Sequence, residues 1–202
     1  MGDGSIIQKG NNEKHDLKEK LMALHGDLRS HYKQKYERSL PFSDELLDRW
    51  ERAKFLGFGE GTRIYDSCYI FGDVKVGLGC FVGQFCILDG SGGLEIGDHC
   101  GIGAGTQIMT HDGVDWCLSG GSIPMEHSAV KIGECCYIGP QCVINRGVTI
   151  GDHSVIGAHS FVNRDIPPFS IAYGTPARVV GEIKIHEDGS VEKILHPSKR
   201  TE

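Results

Sequence analysis

An aliphatic side chain returns every six residues along most of this chain. An α-helix, with about 3.6 residues per turn, would scatter such a repeat around its surface, and a simple strand would show a period of two. A six-residue period requires a chain that turns at regular intervals, so the sequence predicts a β-solenoid. The aliphatic residues, numbered here as position one of each repeat, are Ile64, Ile70, Val76, Val82, Leu88, Ile96, Ile102, Ile108, Ile132, Ile138, Ile144, Ile150, Ile156 and Val162.

Glycine often occupies position two, directly after the aliphatic residue. We expect these glycines to mark corners of the solenoid where the backbone needs dihedral angles that other residues avoid. They are Gly77, Gly83, Gly97, Gly103, Gly133, Gly139, Gly151 and Gly157.

Position five holds small residues, and six of the eight cysteines fall there. They are Cys68, Cys80, Cys86, Cys100, Cys136 and Cys142. A small, weakly polar side chain at one repeated position predicts a structural thiol inside a narrow coil. No Cys-X-X-Cys pair occurs, and Cys135 and Cys136 alternate between outward and inward positions, which suits neither a zinc site nor a disulfide. The many free thiols predict a reducing, cytoplasmic location.

Charge and hydropathy exclude some partners. The formal net charge of −6 at pH 7 argues against nucleic acid, because duplex binding needs clustered lysine and arginine. The polar start has no apolar signal core, and no apolar run approaches the ~18 residues of a membrane span. We therefore expect neither a nucleic-acid partner nor a membrane span.

The chain divides into four predicted parts. Residues 1–12 are polar and predicted to be disordered, and residues 13–58 are predicted to form a helical cap on the open end of the solenoid. Residues 59–181 contain the solenoid. Residues 182–202 are predicted to form a short hairpin, turning at Asp188-Gly189, and a frayed tail.

Within the cap, two helices are predicted. The first presents Leu17, Leu21, Leu24, Leu28 and Tyr32 on one face and ends before Pro41. The second is predicted to begin with Ser43 as its N-cap, since Asp44 and Glu45 suit the positive end of the helix dipole. Its expected apolar face consists of Leu46, Leu47 and Trp50.

Two interruptions break the repeat. The first adds two residues between Leu88 and Ile96, in the glycine-rich stretch 89–93. The second lies between Ile108 and Ile132, where residues 110–129 lose the aliphatic–glycine pattern. A loop leaving the coil is expected there, with degenerate coils as the alternative, and long loops on rigid scaffolds are favoured places for function.

Three features together resemble one family. They are the hexapeptide repeat, the Thr110-His111-Asp112 step into the loop, and the stretch 163–168 (Asn-Arg-Asp-Ile-Pro-Pro) followed by 174–178 (Gly-Thr-Pro-Ala-Arg). This combination resembles the hexapeptide-repeat acyltransferases, and within them the sugar O-acetyltransferases of the galactoside and maltose type and the surface-polysaccharide acetyltransferases. The resemblance covers about residues 60–181.

The resemblance implies an all-β solenoid of the left-handed parallel β-helix type, assembled as a homotrimer with active sites between subunits. It implies acetyl-CoA as acyl donor, a saccharide or small-molecule acceptor, and no metal. The expected reaction is transfer of the acetyl group to a hydroxyl of a sugar or polysaccharide precursor. N-acetylation of a nucleotide-linked amino sugar is the alternative.

His111 matches the catalytic position of that family. Acetyl transfer to a hydroxyl needs a base to take the hydroxyl proton, and imidazole titrates near neutral pH. His99, His153 and His159 share its position in the repeat, but only His111 lies where the coil breaks. Asp112 could orient the imidazole or cap the loop.

The resemblance also suggests binding residues. Gln84 and Asp89 are expected to hold the acceptor, although the galactoside type has asparagine where Gln84 aligns. Trp116 could stack on a sugar or anchor the loop. Coenzyme A is expected to contact Tyr137, Gly139 and Ala158, with Asn163, Arg164 and Arg178 near the nucleotide end. Arginine pairs well with phosphate, although Arg178 could instead pair with a carboxylate at the trimer surface.

Three other readings of the sequence compete with this one. Cys117 in the loop could form an acyl-enzyme with His111, but no sequence feature shows how it would be held there. The γ-class carbonic anhydrases share the coil and bind zinc through histidines five residues apart on a strand, whereas His153 and His159 are six apart. A noncatalytic scaffold is the third reading, and His111 at the break argues against it.

Overall fold

The computed structural model describes residues 4–197, with side chains from Lys14 onward. The chain forms two compact units, Met1–Asp48 and Arg49–Glu202. Of the predicted tails, residues 1–3 and 198–202 lie outside the described residues. No helix within residues 4–197 combines the length and the apolar character that a membrane span needs.

The first unit contains helix α1 (Gly4–Tyr36) and helix α2 (Phe42–Leu46). Helix α1 begins at Gly4, so residues 4–12 are helical in the structure, which differs from the disorder expected there from the sequence. No proline interrupts this stretch, so the helix continues upstream of the apolar repeat that predicted it.

The second predicted helix also differs from expectation. Pro41, not Ser43, is the N-cap of α2, and Leu46 and Leu47 are exposed. Glu45 is buried instead. Its Oε1 accepts a hydrogen bond from the Leu40 backbone N–H at 3.2 Å, and its Oε2 lies 3.3 Å from His25 Nε2. These polar partners allow the carboxylate to replace the apolar residues on the inner side of this short helix.

The second unit begins with helix α3 (Arg49–Phe55), which packs on the first coil. Arg49 Nη1 donates to the Tyr65 hydroxyl at 3.1 Å, and Arg52 Nη2 donates to the Cys68 carbonyl at 2.8 Å. Arg52 also pairs with Asp66. Thus α3 covers the start of the solenoid, whereas a capping role for α1 and α2 stays a prediction. Trp50, expected on an apolar face, is exposed.

The solenoid consists of short strands joined by tight corners. In chain order, with the one helix that interrupts them, the elements described within residues 4–197 are β1 (Arg63–Ile64), β2 (Tyr69–Val76), β3 (Phe81–Val82), β4 (Ile87–Ile96), β5 (Gly101–Ile102), β6 (Gln107–Ile108), β7 (His111–Asp112), α4 (Val114–Leu118), β8 (Glu126–His127), β9 (Val130–Ile132), β10 (Tyr137–Ile138), β11 (Val143–Ile144), β12 (Thr149–Ile150), β13 (Val155–Ile156), β14 (Phe161–Val162), β15 (Ser170–Gly174), β16 (Ala177–Ile185) and β17 (Val191–Leu195).

Parallel pairing stacks these strands into three faces. The first face is β1-β3-β5-β10-β13-β15. The second consists of the starts of β2 and β4 followed by β6, β11 and β14, and the third of the ends of β2 and β4 followed by β9 and β12. This architecture confirms the all-β parallel solenoid predicted from the repeat and the resemblance.

Three corners join the three faces. The first corner, between faces one and two, consists of residues 65–68, 83–86, 103–106, 139–142 and 157–160. The second corner, between faces two and three, consists of residues 71–73, 89–93, 109–129, 145–148 and 163–165. The third corner, between faces three and one, consists of residues 77–80, 97–100, 133–136, 151–154 and 167–169.

Positions one and five fill the interior, as predicted. Every position-one residue except Ile70 is buried, and so are the six position-five cysteines. Each of these thiols donates to the carbonyl of a position-two glycine in the next coil; for example, Cys100 Sγ lies 3.0 Å from Gly133 O and Cys136 Sγ lies 3.2 Å from Gly151 O. A small side chain with a weak donor therefore satisfies a buried carbonyl at this position. All eight cysteines are free.

The explanation predicted for the position-two glycines is wrong. None of them has a positive φ. They are glycine because the next coil lies against them: a Cβ on Gly139 would be 2.5 Å from Ala158 N, and one on Gly103 would be 2.4 Å from Pro140 N. The left-handed conformation occurs at position four, where non-glycine residues adopt it. They are Phe85, His99, Cys135, Gln141, His153 and His159, and Phe169 has the same conformation three residues after the buried Ile166.

The two interruptions of the repeat both lie at the second corner. Residues 89–93 widen the bend inside the continuous strand β4. Residues 110–129 leave the coil altogether, because β5 pairs directly with β10 and β6 with β11. This pairing excludes degenerate coils.

Antiparallel strands end the chain. β16 pairs with β15 and then with β17, which forms the predicted hairpin around Asp188 and Gly189. The predicted boundary between residues 181 and 182 falls inside β16, so the antiparallel segment begins earlier than expected.

Candidate active site

His111 lies at the root of the loop that leaves the second corner. It belongs to β7, which pairs antiparallel with β8 so that His111 faces His127 and Asp112 faces Glu126. The two imidazole rings are 6.0 Å apart. This two-stranded ribbon carries His111 away from the regular coil and leaves its side chain 35% exposed.

A buried carboxylate lies directly behind His111. Asp89, in the widened bend of the preceding coil, has a side chain only 2% exposed. Its Oδ2 lies 2.7 Å from His111 Nδ1. The sequence prediction gave Asp89 to the acceptor, but the structure places it against the imidazole.

The Asp89 carboxylate is fully engaged. Its Oδ1 accepts from the Ser91 N–H at 3.0 Å and the Ser91 hydroxyl at 2.6 Å, and its Oδ2 accepts from the Thr110 N–H at 2.8 Å and the Thr110 hydroxyl at 3.0 Å. Burial alone would raise the pKa of this carboxyl, but the hydrogen bonds from Ser91, Thr110 and His111 outweigh burial and hold the pKa well below its ordinary value.

An ionised carboxylate only accepts hydrogen bonds, so His111 Nδ1 is the donor in this pair. In a neutral imidazole the other nitrogen, Nε2, then carries the lone pair. The arrangement can therefore hold an imidazole in the tautomer that accepts a proton at Nε2.

Asp112 does not take part in that arrangement. Its Oδ1 accepts from the Val114 N–H at 2.8 Å, and its Oδ2 lies 3.6 Å from Arg146 Nε. Of the two roles considered for Asp112, these contacts favour capping of the loop.

The other loop residues have local contacts. The Trp116 ring lies against Gly121, whose Cβ position is 3.6 Å from the indole. The Gly121 N–H donates to the Trp116 carbonyl at 2.8 Å, which favours a role in loop structure. Cys117 is exposed in α4, and its N–H bonds to Gly113 O at 3.0 Å. These contacts give neither side chain a link to His111.

Three predicted binding residues lie at the first corner. The Gln84 carbonyl accepts from the Gly105 N–H at 2.7 Å, which fixes its turn. Gly139 backs directly onto Ala158 in the next coil. Tyr137 precedes this corner on the first face, and its exposed ring covers Gly101. In one chain, none of these residues shares a corner with His111.

Asn163 and Arg164 are exposed at the second corner, on the C-terminal side of His111. Arg178 is exposed in β16, opposite Tyr173, and its Nη1 donates to Ala177 O at 2.7 Å. Among residues 14–197, no carboxylate forms an ion pair with Arg164 or Arg178. The predicted residues thus form two groups on separate corners.

The sequence prediction missed Ser91 and Thr110, which anchor Asp89. The one signal in the sequence was the glycine-rich break at residues 89–93, which contains the polar residues Asp89 and Ser91 where the regular repeat is interrupted. No group of three His, Cys, Asp or Glu side chains among residues 14–197 is placed to hold a metal ion. Whether the protein works without metal stays a prediction.

Family comparisons agree with the repeat. The family model described as bacterial transferase hexapeptide (six repeats) matches residues 129–164, and the hexapeptide repeat of succinyl-transferase matches residues 73–109. The galactoside O-acetyltransferase of Escherichia coli K12 is 57% identical over 54 residues, which cover 27% of this chain and 27% of that protein. The bifunctional protein GlmU of Rubrobacter xylanophilus is 37% identical over 89 residues, 44% of this chain and 17% of that protein. The matches thus span well under half of these relatives.

Among solved structures, the chain is similar to a variant of AntD, an N-acyltransferase from Bacillus cereus, in complex with dTDP and coenzyme A. The TM-score is 0.57 and the identity 26%, over 62% of this chain and 72% of that chain. The repeat, the coil and these matches agree. The chain is therefore a hexapeptide-repeat β-solenoid that is similar to an O-acetyltransferase and to an N-acyltransferase.

Proposed function

We propose that the chain is an acyl-CoA-dependent acetyltransferase that acetylates a hydroxyl of a sugar or polysaccharide precursor. The observation that carries this proposal is the buried Asp89 carboxylate bound to His111 Nδ1, at the single point where the coil opens into a loop. A solenoid without catalysis has no need of such a pair, because burying a carboxylate is costly.

His111 Nε2 is the general base of the proposed reaction. It takes the proton of the acceptor hydroxyl as the oxygen attacks the thioester carbonyl carbon. When the tetrahedral intermediate collapses, the carbon–sulfur bond breaks and the imidazolium returns the proton to the departing thiolate. Asp89 stabilises the imidazolium and is a positioning residue, not an acceptor-binding one.

The donor is proposed to lie along the coil from His111 toward the C-terminal end. Asn163 and Arg164 lie on the C-terminal side of His111, at the second corner. Arg178 follows them in sequence and is exposed at the end of the solenoid. Two arginines without a carboxylate partner among residues 14–197 suit phosphate groups. Tyr137, Gly139 and Ala158 are proposed to line the other wall, where Gly139 has no side chain and lies directly against Ala158 of the next coil.

A homotrimer explains why the proposed site residues occupy two corners. The base and two donor contacts lie at the second corner, whereas Gln84, Gly139 and Ala158 lie at the first. If the first corner of one subunit faces the second corner of its neighbour, both groups form one site. Light scattering should give three times the 22.1 kDa mass of the chain.

The acceptor proposal rests on the relatives. The galactoside O-acetyltransferase similarity favours a sugar hydroxyl, with Gln84 and Trp116 as proposed acceptor contacts. The likeness to AntD, an N-acyltransferase bound to dTDP, favours an amino sugar carried by a nucleotide as the second candidate. The same base serves either reaction, since both need a proton removed from the attacking group.

The test is release of free coenzyme A thiol from acetyl-CoA in the presence of a panel of acceptors. We expect turnover with a sugar hydroxyl, with full activity after chelator treatment, and loss of turnover in His111→Ala. Turnover with amino sugars alone would favour N-acetylation. A wild-type protein whose unfolding temperature does not rise with acetyl-CoA, and which shows no turnover, would overturn the proposal. We also propose that the protein acts in the cytoplasm, since its eight free cysteines suit a reducing compartment.

A further inference from the structure

The root of the loop is held from both sides. On the N-terminal side, Asp89 binds Thr110 and His111. On the C-terminal side lies Arg146, at the second corner of the following coil. Arg146 Nε is 3.6 Å from Asp112 Oδ2, and Arg146 Nη2 pairs with Glu126 Oε2. Arg146 therefore contacts both strands of the ribbon that carries His111.

The two carboxylates that Arg146 contacts are direct neighbours across the ribbon, because Asp112 is paired with Glu126. Like charges directly opposite one another destabilise an antiparallel pair. The ribbon has only two residue pairs, so it has little other pairing with which to resist that repulsion. A positive charge between the carboxylates converts the repulsion into two attractions.

Arg146 is well placed for this role. Its side chain is 27% exposed, less than that of either carboxylate. Its neighbour Gly147 donates a backbone hydrogen bond to Ser128 O at 3.2 Å, and the Ser128 N–H donates to Thr110 O at 2.8 Å. The coil that holds Arg146 thus also anchors the exit of the loop.

We propose that Arg146 is a positioning residue for His111, which acts by neutralising Asp112 and Glu126 and so keeping the β7–β8 ribbon closed. This inference rests on the proposed role of His111 as base. It assigns Arg146 no contact with either substrate.

The first test replaces Arg146 with methionine, which keeps much of the length of the side chain and removes the charge. We expect kcat to fall by about tenfold to a hundredfold, since a misplacement of about 1 Å costs that much, while the KM for acetyl-CoA changes little. Arg146→Lys should retain most of the activity. Lys131→Met, which breaks an ion pair of the same 3.6 Å length with Glu95 on the third face, is the matched control and should behave as wild type.

Hydrogen exchange of the loop supplies a readout that does not depend on activity. The Ser128 amide, which closes the root of the loop, should exchange faster in Arg146→Met and at the wild-type rate in Lys131→Met. The unfolding temperature should hardly change, because partly exposed ion pairs contribute little to stability.

A variant in which the two carboxylates are also neutralised distinguishes this role of Arg146 from phosphate binding. Adding Asp112→Asn and Glu126→Gln to Arg146→Met removes the repulsion, while the amide oxygen introduced at position 112 can still accept from the Val114 N–H. In this triple variant kcat should recover toward wild type. An Arg146→Met protein with an unchanged kcat, with a raised KM alone, or with no recovery in the triple variant would overturn the inference. The proposed function fails separately, if His111→Ala keeps full activity.

Discussion

His111 and His153 occupy the same position of the repeat at different corners, and their surroundings differ completely. His153, at the third corner, has a left-handed φ of 55°, stacks on Phe169 at 4.9 Å and faces the exposed Glu134 at 4.0 Å. His111, at the second corner, belongs to an extended ribbon and is bound to the buried Asp89. Position in the repeat therefore does not bring a histidine against a buried carboxylate. The break in the repeat does, because it frees the backbone to place the His111 imidazole beside Asp89.

The largest difference is expected when each histidine is removed. His111→Ala should slow acetyl transfer by about 10² to 10⁴, the usual range for a lost general base, while acetyl-CoA still raises the unfolding temperature. His153→Ala is the matched control. Equal losses of kcat in the two variants would contradict the distinction between the two corners.

Asp89→Asn tests the buried carboxylate that binds His111, whereas His153 faces the exposed Glu134. We expect kcat to fall by less than in His111→Ala, because the imidazole remains but its tautomer is no longer fixed. The low folded-state pKa of Asp89 means that its ionised form stabilises the native state. That contribution is complete above the ordinary aspartate pKa of about 4 and is lost as the pH falls toward the folded-state pKa.

Thermal unfolding of wild type and Asp89→Asn against pH measures this contribution. The wild type should be the more stable protein at pH 6 to 7, with the gap narrowing below about pH 4. A gap independent of pH would mean that the carboxylate matters through packing, not charge.

The next prediction concerns Arg178, one of the two arginines proposed to bind the phosphates of coenzyme A. Arg178→Ala should raise the KM for acetyl-CoA by about tenfold, as expected for a lost charge-assisted hydrogen bond, with little change in kcat. Added salt should weaken the wild type more than the variant. A shortened acyl donor without the nucleotide should not distinguish the two proteins; equal losses with both donors would assign Arg178 to the fold or the trimer.

The smallest expected effect is a difference in thiol reactivity between the buried and the exposed cysteines. In the native protein, a thiol reagent should modify only Cys117 and Cys135 rapidly, because the other six thiols are buried. Cys135 should react more slowly than free cysteine, since partial burial and the nearby Glu134, Asp152 and Asp98 raise its pKa. Mass spectrometry after brief labelling measures this, and early labelling of Cys100 would contradict the buried ladder.

The sequence predicted the regular coils well because each side chain there repeats one physical task. Position one is apolar and position five is small for the same reason in every coil, so periodicity alone identifies them. The prediction failed where a residue acts once. Nothing in the spacing of Asp89 and His111 shows that their side chains meet, since that contact depends on how the widened bend and the loop root stack.

The position-two glycines illustrate a different failure. The pattern was recognised but its cause was assigned to dihedral angles, whereas the structure assigns it to the close approach of the next coil. Local sequence cannot distinguish these causes, because both require the absence of a Cβ.

The strands on either side of the loop pair as if the loop were absent: Gly101 pairs with Tyr137 and Gln107 with Val143. The strand register therefore does not depend on the length of the loop at the second corner, provided that the chain returns beside Thr110. Residues 113–125 therefore form a segment that protein engineering could replace. We expect that it can be shortened, lengthened or exchanged while the strands on either side keep their register.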